Sequence, residues 1–223
     1  MDNDIESIKI DLSGIQGRIS TDQVQHKCAK CEYEVIPRCL QTREQHQYRK
    51  AFSEVKLWDI LGNDFNVDEG TAYHCMSGGN IDSLSYLKFI IRQQNLKYVL
   101  LSTWCMADDD TEQFSKWKES GAIDRLDAYV GEIFPGSYQK QHNALKKIVE
   151  PTGRVCVFRN HAKIYAGIGE KFAFAIESSA NINTNPRTEN TTIIIGKDIF
   201  NFYKSFFDLV NSFTKDFPDW KPW

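Results

Sequence analysis

The chain has 223 residues, of which 41% are hydrophobic and 13% aromatic, so it is long enough to bury a substantial hydrophobic core. Its net charge of −3 gives no overall electrostatic sign of nucleic-acid or membrane binding, although a local basic groove is compatible with that figure. No apolar run approaches the roughly 18 residues of a membrane helix, and the acidic, mixed first residues do not resemble a signal peptide. We therefore expect a soluble, cytoplasmic protein without disulfides, whose cysteines are free or bind metal.

Residues 1–65 differ from the rest of the chain, because they carry three of the six cysteines and few alternating apolar runs. The candidate zinc ligands in this segment are Cys28, Cys31, Cys39 and either His26 or His46. The first two have the C-x2-C spacing that suits two thiolates on one tetrahedral zinc ion. A second C-x2-C pair or an H-x3-5-H pair, which would make the signature strong, is not present. A structural zinc site and free buried cysteines therefore both stay open for this N-terminal extension.

From about residue 71 the sequence alternates between strand and helix patterns. Strands are predicted at 71–79, 97–105 and 127–134, and helices at 81–95, 108–120 and 137–150. Such alternation predicts a mostly parallel sheet with helices packed on both faces.

The pattern then changes to strand candidates that have no helix between them. They lie at 154–160, 161–167, 171–180 and 191–196. A last helix is predicted from the single apolar face formed by Ile199, Tyr203, Phe206, Val210 and Phe213. The predicted fold is therefore α/β, with a mixed central sheet flanked by helices, in a domain that spans residues 66–223.

Five polar residues lie at the ends of these last strands within 29 residues of chain: His161, Lys163, Ser179, Asn181 and Glu189. His161 and Lys163 are two residues apart, so in a strand their side chains would project from the same face. Pairing of two strands through a turn at Gly169 would bring the set together. A histidine can be a nucleophile or a general acid–base, a lysine and an asparagine can hold phosphate oxygens, and a carboxylate can orient an imidazole.

This order of residues resembles the signature of the phospholipase D superfamily, an H-x-K motif followed by an S-x-N turn. The matching residues are His161, Lys163, Ser179 and Asn181, and Glu189 looks like the acidic position of the superfamily's nucleases. The chain departs from the family pattern at Ile168, where an aspartate with a mainly structural role is usual. The resemblance implies a phospholipase D-like fold from about residue 71 to 213.

The resemblance also implies a mechanism in which His161 attacks phosphorus and forms a phosphohistidine, while a second histidine protonates the leaving oxygen. Lys163 and Asn181 would stabilise the phosphoryl oxygens, and neither a metal ion nor another cofactor would be needed for catalysis. Superfamily sites use two H-x-K motifs and this chain has one, so we expect a homodimer with a site shared across its two-fold axis. Arg187, in the polar loop beside the motif, is a candidate for binding substrate phosphate.

Small superfamily members with one motif that work as dimers tend to be nucleases, so DNA or RNA is the expected substrate. One alternative is a catalytically silent module of the same fold that binds nucleic acid or a protein partner. A second alternative is an enzyme that cleaves phospholipids or transfers phosphatidyl groups, although no membrane anchor or amphipathic basic helix supports it.

Overall fold

The computed structural model describes residues 26–27, 34–35, 45–183 and 186–223, with side chains from Lys50 onward. The described residues belong to two units, with the boundary between His46 and Gln47. In the first unit, β1 (His26–Lys27) and β2 (Glu34–Val35) pair antiparallel. The side chains of all the candidate zinc ligands lie outside the described residues, so the zinc site stays a prediction.

The second unit is built on one seven-stranded sheet. Its strands are β3 (Ala72–Ser77), β4 (Leu96–Thr103), β5 (Ile123–Gly131), β6 (Val155–Phe158), β7 (Ile164–Gly169), β8 (Ala173–Ser178) and β9 (Glu189–Ile195), in the order β3-β9-β8-β7-β4-β5-β6. Strands β4, β5 and β6 are parallel, and every other pairing in this sheet is antiparallel. The predicted α/β fold with a mixed central sheet is confirmed.

Helices cover both faces of this sheet, as expected. They are α1 (Gln45–Leu61), α2 (Ser83–Gln93), α3 (Asp108–Glu119), α4 (Phe134–Ser137), α5 (Gln139–Val149) and α6 (Lys197–Asp208). Successive residues of β4 point to opposite faces: Val99 and Leu101 join the core beneath the first five helices, whereas Tyr98 and Leu100 join the core beneath α6. None of the helices in the described ranges combines the length and apolarity needed to cross a bilayer.

The face that α6 turns toward the sheet agrees in part with the predicted one, because Ile199, Tyr203 and Val210 pack against the buried cluster beneath the helix. Phe200 and Phe207 are 3% and 2% exposed, whereas Phe206 and Phe213 are 58% and 64% exposed. The helix ends at Asp208, so Phe213 lies beyond it. The most deeply buried residues of the helix are Phe200 and Phe207, which the predicted apolar face did not include. The prediction that Phe206 and Phe213 lie on the buried face was wrong.

Helix α1 packs against α2 and α3 through polar contacts as well as apolar ones. Lys50 Nζ lies 2.6 Å from Asp110 Oδ1, and Ser53 Oγ lies 2.8 Å from Ser85 Oγ. Leu57, one turn further along, is fully buried in the core. The helix therefore packs with the larger unit, and the role of residues 1–65 as an extension stays a prediction.

The strand directions bring the ends of several strands to the same end of the sheet. The carboxyl ends of β4, β5, β6 and β8 lie there together with the amino ends of β7 and β9. We call this the site end, because the polar residues singled out in the sequence lie next to it.

Candidate active site

The site end brings together the five predicted catalytic residues. His161 and Lys163 come just before β7, Ser179 and Asn181 come just after β8, and Glu189 is the first residue of β9. The registers Ile164↔Glu177 and Ser178↔Thr191 fix these three segments side by side. The predicted pairing of β7 with β8 is confirmed.

The segment that carries His161 is a turn and not the start of a strand. Strand β7 begins at Ile164, so the prediction that residues 161–163 belong to it was wrong. The cause is Asn160, which is buried: its Oδ1 accepts a hydrogen bond from Ala162 N at 3.0 Å, and its Nδ2 donates to Tyr129 O at 2.9 Å. An asparagine that bonds its own backbone two residues on is typical of a turn, so the residue type was an available signal.

His161 and Lys163 are in direct contact, as the motif predicts. Lys163 Nζ donates to His161 O at 2.6 Å and lies 3.0 Å from His161 Nδ1. An ammonium can only donate, so Nδ1 is the acceptor in this arrangement. His161 is exposed, whereas Lys163 is 9% exposed, and this burial lowers the pKa of the Lys163 ammonium below its ordinary value of 10.5.

Ser179 is hydrogen-bonded to Glu189, the acidic residue of the site. Ser179 Oγ donates to Glu189 Oε2 and accepts a hydrogen bond from Asn190 N at 3.1 Å. Glu189 is close enough to Lys163 for its charge to raise the pKa of the ammonium, which partly offsets the effect of burial. The carboxylate is therefore placed where it stabilises the cationic form of Lys163.

Asn181 is oriented by the backbone at the end of β4. Trp104 N donates to Asn181 Oδ1 at 3.3 Å, so the carbonyl end of the amide points into the protein and Nδ2 is the end available for a phosphate oxygen. The indole ring of Trp104 lies 5.5 Å from the imidazole of His161, centroid to centroid, with an interplanar angle of 49°. Sequence reasoning missed Trp104, because nothing in the apolar run 97–105 distinguishes it from a core residue.

A buried thiol, that of Cys105, lies beside these residues. Asn183 Nδ2 is 3.4 Å from Cys105 Sγ, and burial raises the pKa of this thiol despite the nearby charge of Lys163. A thiol with a raised pKa is protonated at neutral pH and is a poor nucleophile. The arrangement therefore favours His161 over Cys105 as the attacking group.

Other predicted or alternative residues lie at the margins of the site or on other elements. Arg187 is exposed, and its backbone packs so closely on Gly79 that a Cβ at that glycine would lie 2.7 Å from Arg187 N. His74 is on β3, with Nδ1 3.2 Å from Thr192 Oγ1, and His142 is buried on α5, where burial lowers its pKa. A contact of Arg187 with substrate stays a prediction.

The position that departs from the superfamily pattern lies far from the site end. Ile168 pairs with Tyr98, near the start of β4, whereas Ile164 pairs with Ser102, near its end. The half-buried Ile168 side chain packs into the apolar cluster beneath α6. The missing aspartate therefore has no direct bearing on the contacts of His161 and Lys163.

No group of three or more histidine, cysteine, aspartate or glutamate side chains is arranged to hold a metal ion among the residues whose side chains are described.

Neither a protein-family model nor a curated protein sequence matches the chain. Solved structures do match it. NucT from Helicobacter pylori is 16% identical with a TM-score of 0.47, and the alignment covers 61% of this chain and 94% of that one.

The second match is Nuc from Salmonella typhimurium, described as a phospholipase D family member. It is 14% identical with a TM-score of 0.47, over 62% of this chain and 91% of that one. A polyphosphate kinase from Porphyromonas gingivalis is 13% identical with a TM-score of 0.47, over 61% of this chain and 25% of that one. At these identities the similarity is one of fold alone.

Proposed function

We propose that this protein is a phosphodiesterase that hydrolyses nucleic acid, with His161 as the nucleophile. The contact between His161 and Lys163, beside Asn181 and the Ser179–Glu189 pair, is the observation that carries the proposal. The motif supplies a nucleophile, a cation and an amide donor within one cluster, which is the set of groups that phosphoryl transfer requires.

The geometry supports the following sequence of steps. A phosphodiester enters the site, and the Lys163 ammonium moves from the His161 ring to a phosphoryl oxygen, while Asn181 Nδ2 donates to another. The imidazole nitrogen released by Lys163 attacks phosphorus, the bond to the leaving oxygen breaks, and a second histidine gives that oxygen a proton. The second histidine then takes a proton from water, whose oxygen attacks the phosphohistidine and releases His161.

A second copy of the chain is the source that we propose for the second histidine. His161 is exposed, so it can lie across a two-fold axis from the same residue of another copy. The two exchange roles, one as nucleophile and the other as acid and base. The homodimer therefore has one complete site made from two identical halves.

The experiment that tests this function is hydrolysis in the presence of EDTA. We expect labelled single-stranded DNA, duplex DNA or RNA to be cleaved at a rate that EDTA changes less than about twofold, because His161 and Lys163 perform the chemistry. Loss of activity with EDTA and its return with Mg²⁺ would contradict the mechanism. Metal analysis of the purified protein guards against slow loss of a structural zinc ion from the N-terminal segment.

The same assay separates the alternatives. Cleavage of phosphatidylcholine vesicles without cleavage of nucleic acid would favour the lipid enzyme. Binding of an oligonucleotide without turnover, and without any effect of His161→Ala on binding, would favour the silent module. In both cases the nuclease proposal would be overturned.

The shared site predicts dominant loss of activity on mixing chains. Wild-type protein that has exchanged subunits with a ninefold excess of His161→Asn is expected to retain about a tenth of its activity, because most wild-type chains then face an inactive partner. Sedimentation at micromolar concentration should show a dimer for both proteins. Activity that stays proportional to the amount of wild-type chain, or an active monomer, would contradict the shared site.

A further inference from the structure

Trp104 contacts two of the proposed catalytic residues from one position. Its main-chain N–H donates to Asn181 Oδ1 at 3.3 Å, and its indole ring lies 5.5 Å from the His161 ring. His161 follows β6 in the chain, Asn181 follows β8, and Trp104 lies directly after β4. A single half-buried residue therefore touches two segments that are distant from each other in sequence.

The indole ring of Trp104 packs against Gly131, the last residue of β5, which has no side chain and so leaves room for the ring. A Cβ at Gly131 would lie 2.7 Å from Trp104 Cδ1 and 3.3 Å from Asn160 O. The indole therefore occupies the space that any other residue at 131 would fill. The same glycine lets the ring approach the turn that carries His161. Asn160 fixes this turn by hydrogen bonds to β4 and β5.

We propose that Trp104 is a positioning residue for the reaction, whose indole fixes the ring plane of His161. This inference rests on the proposed function. The His161 side chain is exposed, and an exposed imidazole populates several rotamers unless a neighbour restricts it. Contact with a fixed indole favours one ring orientation, and a nucleophile that is held in line with phosphorus reacts faster than one that must find that orientation.

A positioning role makes a specific kinetic prediction. Trp104→Ala is expected to lower kcat roughly tenfold with KM changed less than about twofold, because the contact orients the nucleophile and not the substrate. Gly131→Ala keeps the tryptophan but takes its space, so it should reproduce the loss. Trp104→Phe keeps an aromatic ring in the space beside Gly131 and is expected to retain at least about a third of the wild-type kcat.

Tryptophan fluorescence tests the contact without any substrate. The His161 ring is part of the surroundings of the Trp104 indole, so removing that ring in His161→Asn should change the tryptophan emission. We expect this change to be absent when His161→Asn is made in a Trp104→Phe background, and to persist in a Trp58→Phe background, which replaces a tryptophan that is 41% exposed on α1. Circular dichroism of each variant establishes that it is folded.

The outcomes distinguish this inference from the function on which it rests. If the wild type hydrolyses nucleic acid and kcat is unchanged in Gly131→Ala and Trp104→Ala, the positioning role is overturned but the proposed nuclease function is not. A raised KM with an unchanged kcat would assign Trp104 to substrate binding and also overturn it. If the wild type cleaves no nucleic acid, the proposed function fails and positioning falls with it, whereas the change in tryptophan emission on His161→Asn still reports the contact. If Trp104→Ala does not fold, Gly131→Ala and Trp104→Phe decide the matter.

Discussion

Replacement of His161 by asparagine is expected to lower the hydrolysis of nucleic acid by about a thousandfold or more. Removal of a covalent nucleophile eliminates the intermediate through which the reaction runs, and the remaining groups can only assist a much slower direct attack by water. Because His161 is exposed and precedes β7, the substitution removes little buried area. Turnover of a labelled oligonucleotide, with thermal unfolding measured in parallel, gives the comparison.

His74→Asn is the matched control for this experiment. It replaces another exposed histidine, on β3, whose Nδ1 lies 3.2 Å from Thr192 Oγ1, and it is expected to leave turnover unchanged. Retention of more than about a tenth of the activity in His161→Asn would rule out this residue as the nucleophile. A large loss in His74→Asn would transfer the acid–base role to His74.

The second large effect is expected from Lys163→Met, which should lower kcat about a hundredfold. An ammonium that moves onto a phosphoryl oxygen stabilises charge that develops in the transition state, and loss of one such donor typically costs two to three orders of magnitude. Methionine keeps an unbranched apolar chain in a position that is 9% exposed, so the fold is expected to survive. Single-turnover rates at saturating oligonucleotide measure the effect.

The pH dependence of kcat/KM tests the role of the Lys163 ammonium independently. Activity needs the ammonium form, and burial lowers the pKa of Lys163 below 10.5, so the alkaline fall in wild-type activity is expected to begin below that pH. Lys163→Met has no ammonium to lose, and its residual activity should lack this limb. An alkaline limb that survives in Lys163→Met would show that a different group titrates there.

Much of the fold follows from local patterns in the sequence. The apolar run that became β4 is covered on both faces because its alternate residues meet different helices, and the buried run alone predicts that arrangement. The order H-x-K, S-x-N, Glu also predicts the convergence of His161, Asn181 and Glu189, since adjacent antiparallel strands place successive ends together.

The features that escaped prediction depend on contacts between residues far apart in the chain. Trp104 enters the site because Gly131 leaves room for its ring, and the local turn at Asn160 is tied to β5 by a bond from Asn160 Nδ2 to Tyr129 O. Neither partner can be identified from the sequence near the residue itself. The prediction that Phe206 is buried on α6 failed for a different reason: periodicity alone does not distinguish between overlapping apolar stripes on one helix.

The pairing of β3 with β9 has a consequence for synthesis of the protein. Ser77 pairs with Glu189, which follows it more than a hundred residues later in the chain. At typical translation rates the ribosome needs on the order of ten seconds to make that intervening stretch, and during this time β3 has no β9 to pair with. The His161 turn and the Ser179–Asn181 segment leave the ribosome late in the same interval. Catalytic competence is therefore expected among the last properties that the nascent chain acquires, and a chain stalled before residue 189 would expose an unpaired strand for chaperones to bind.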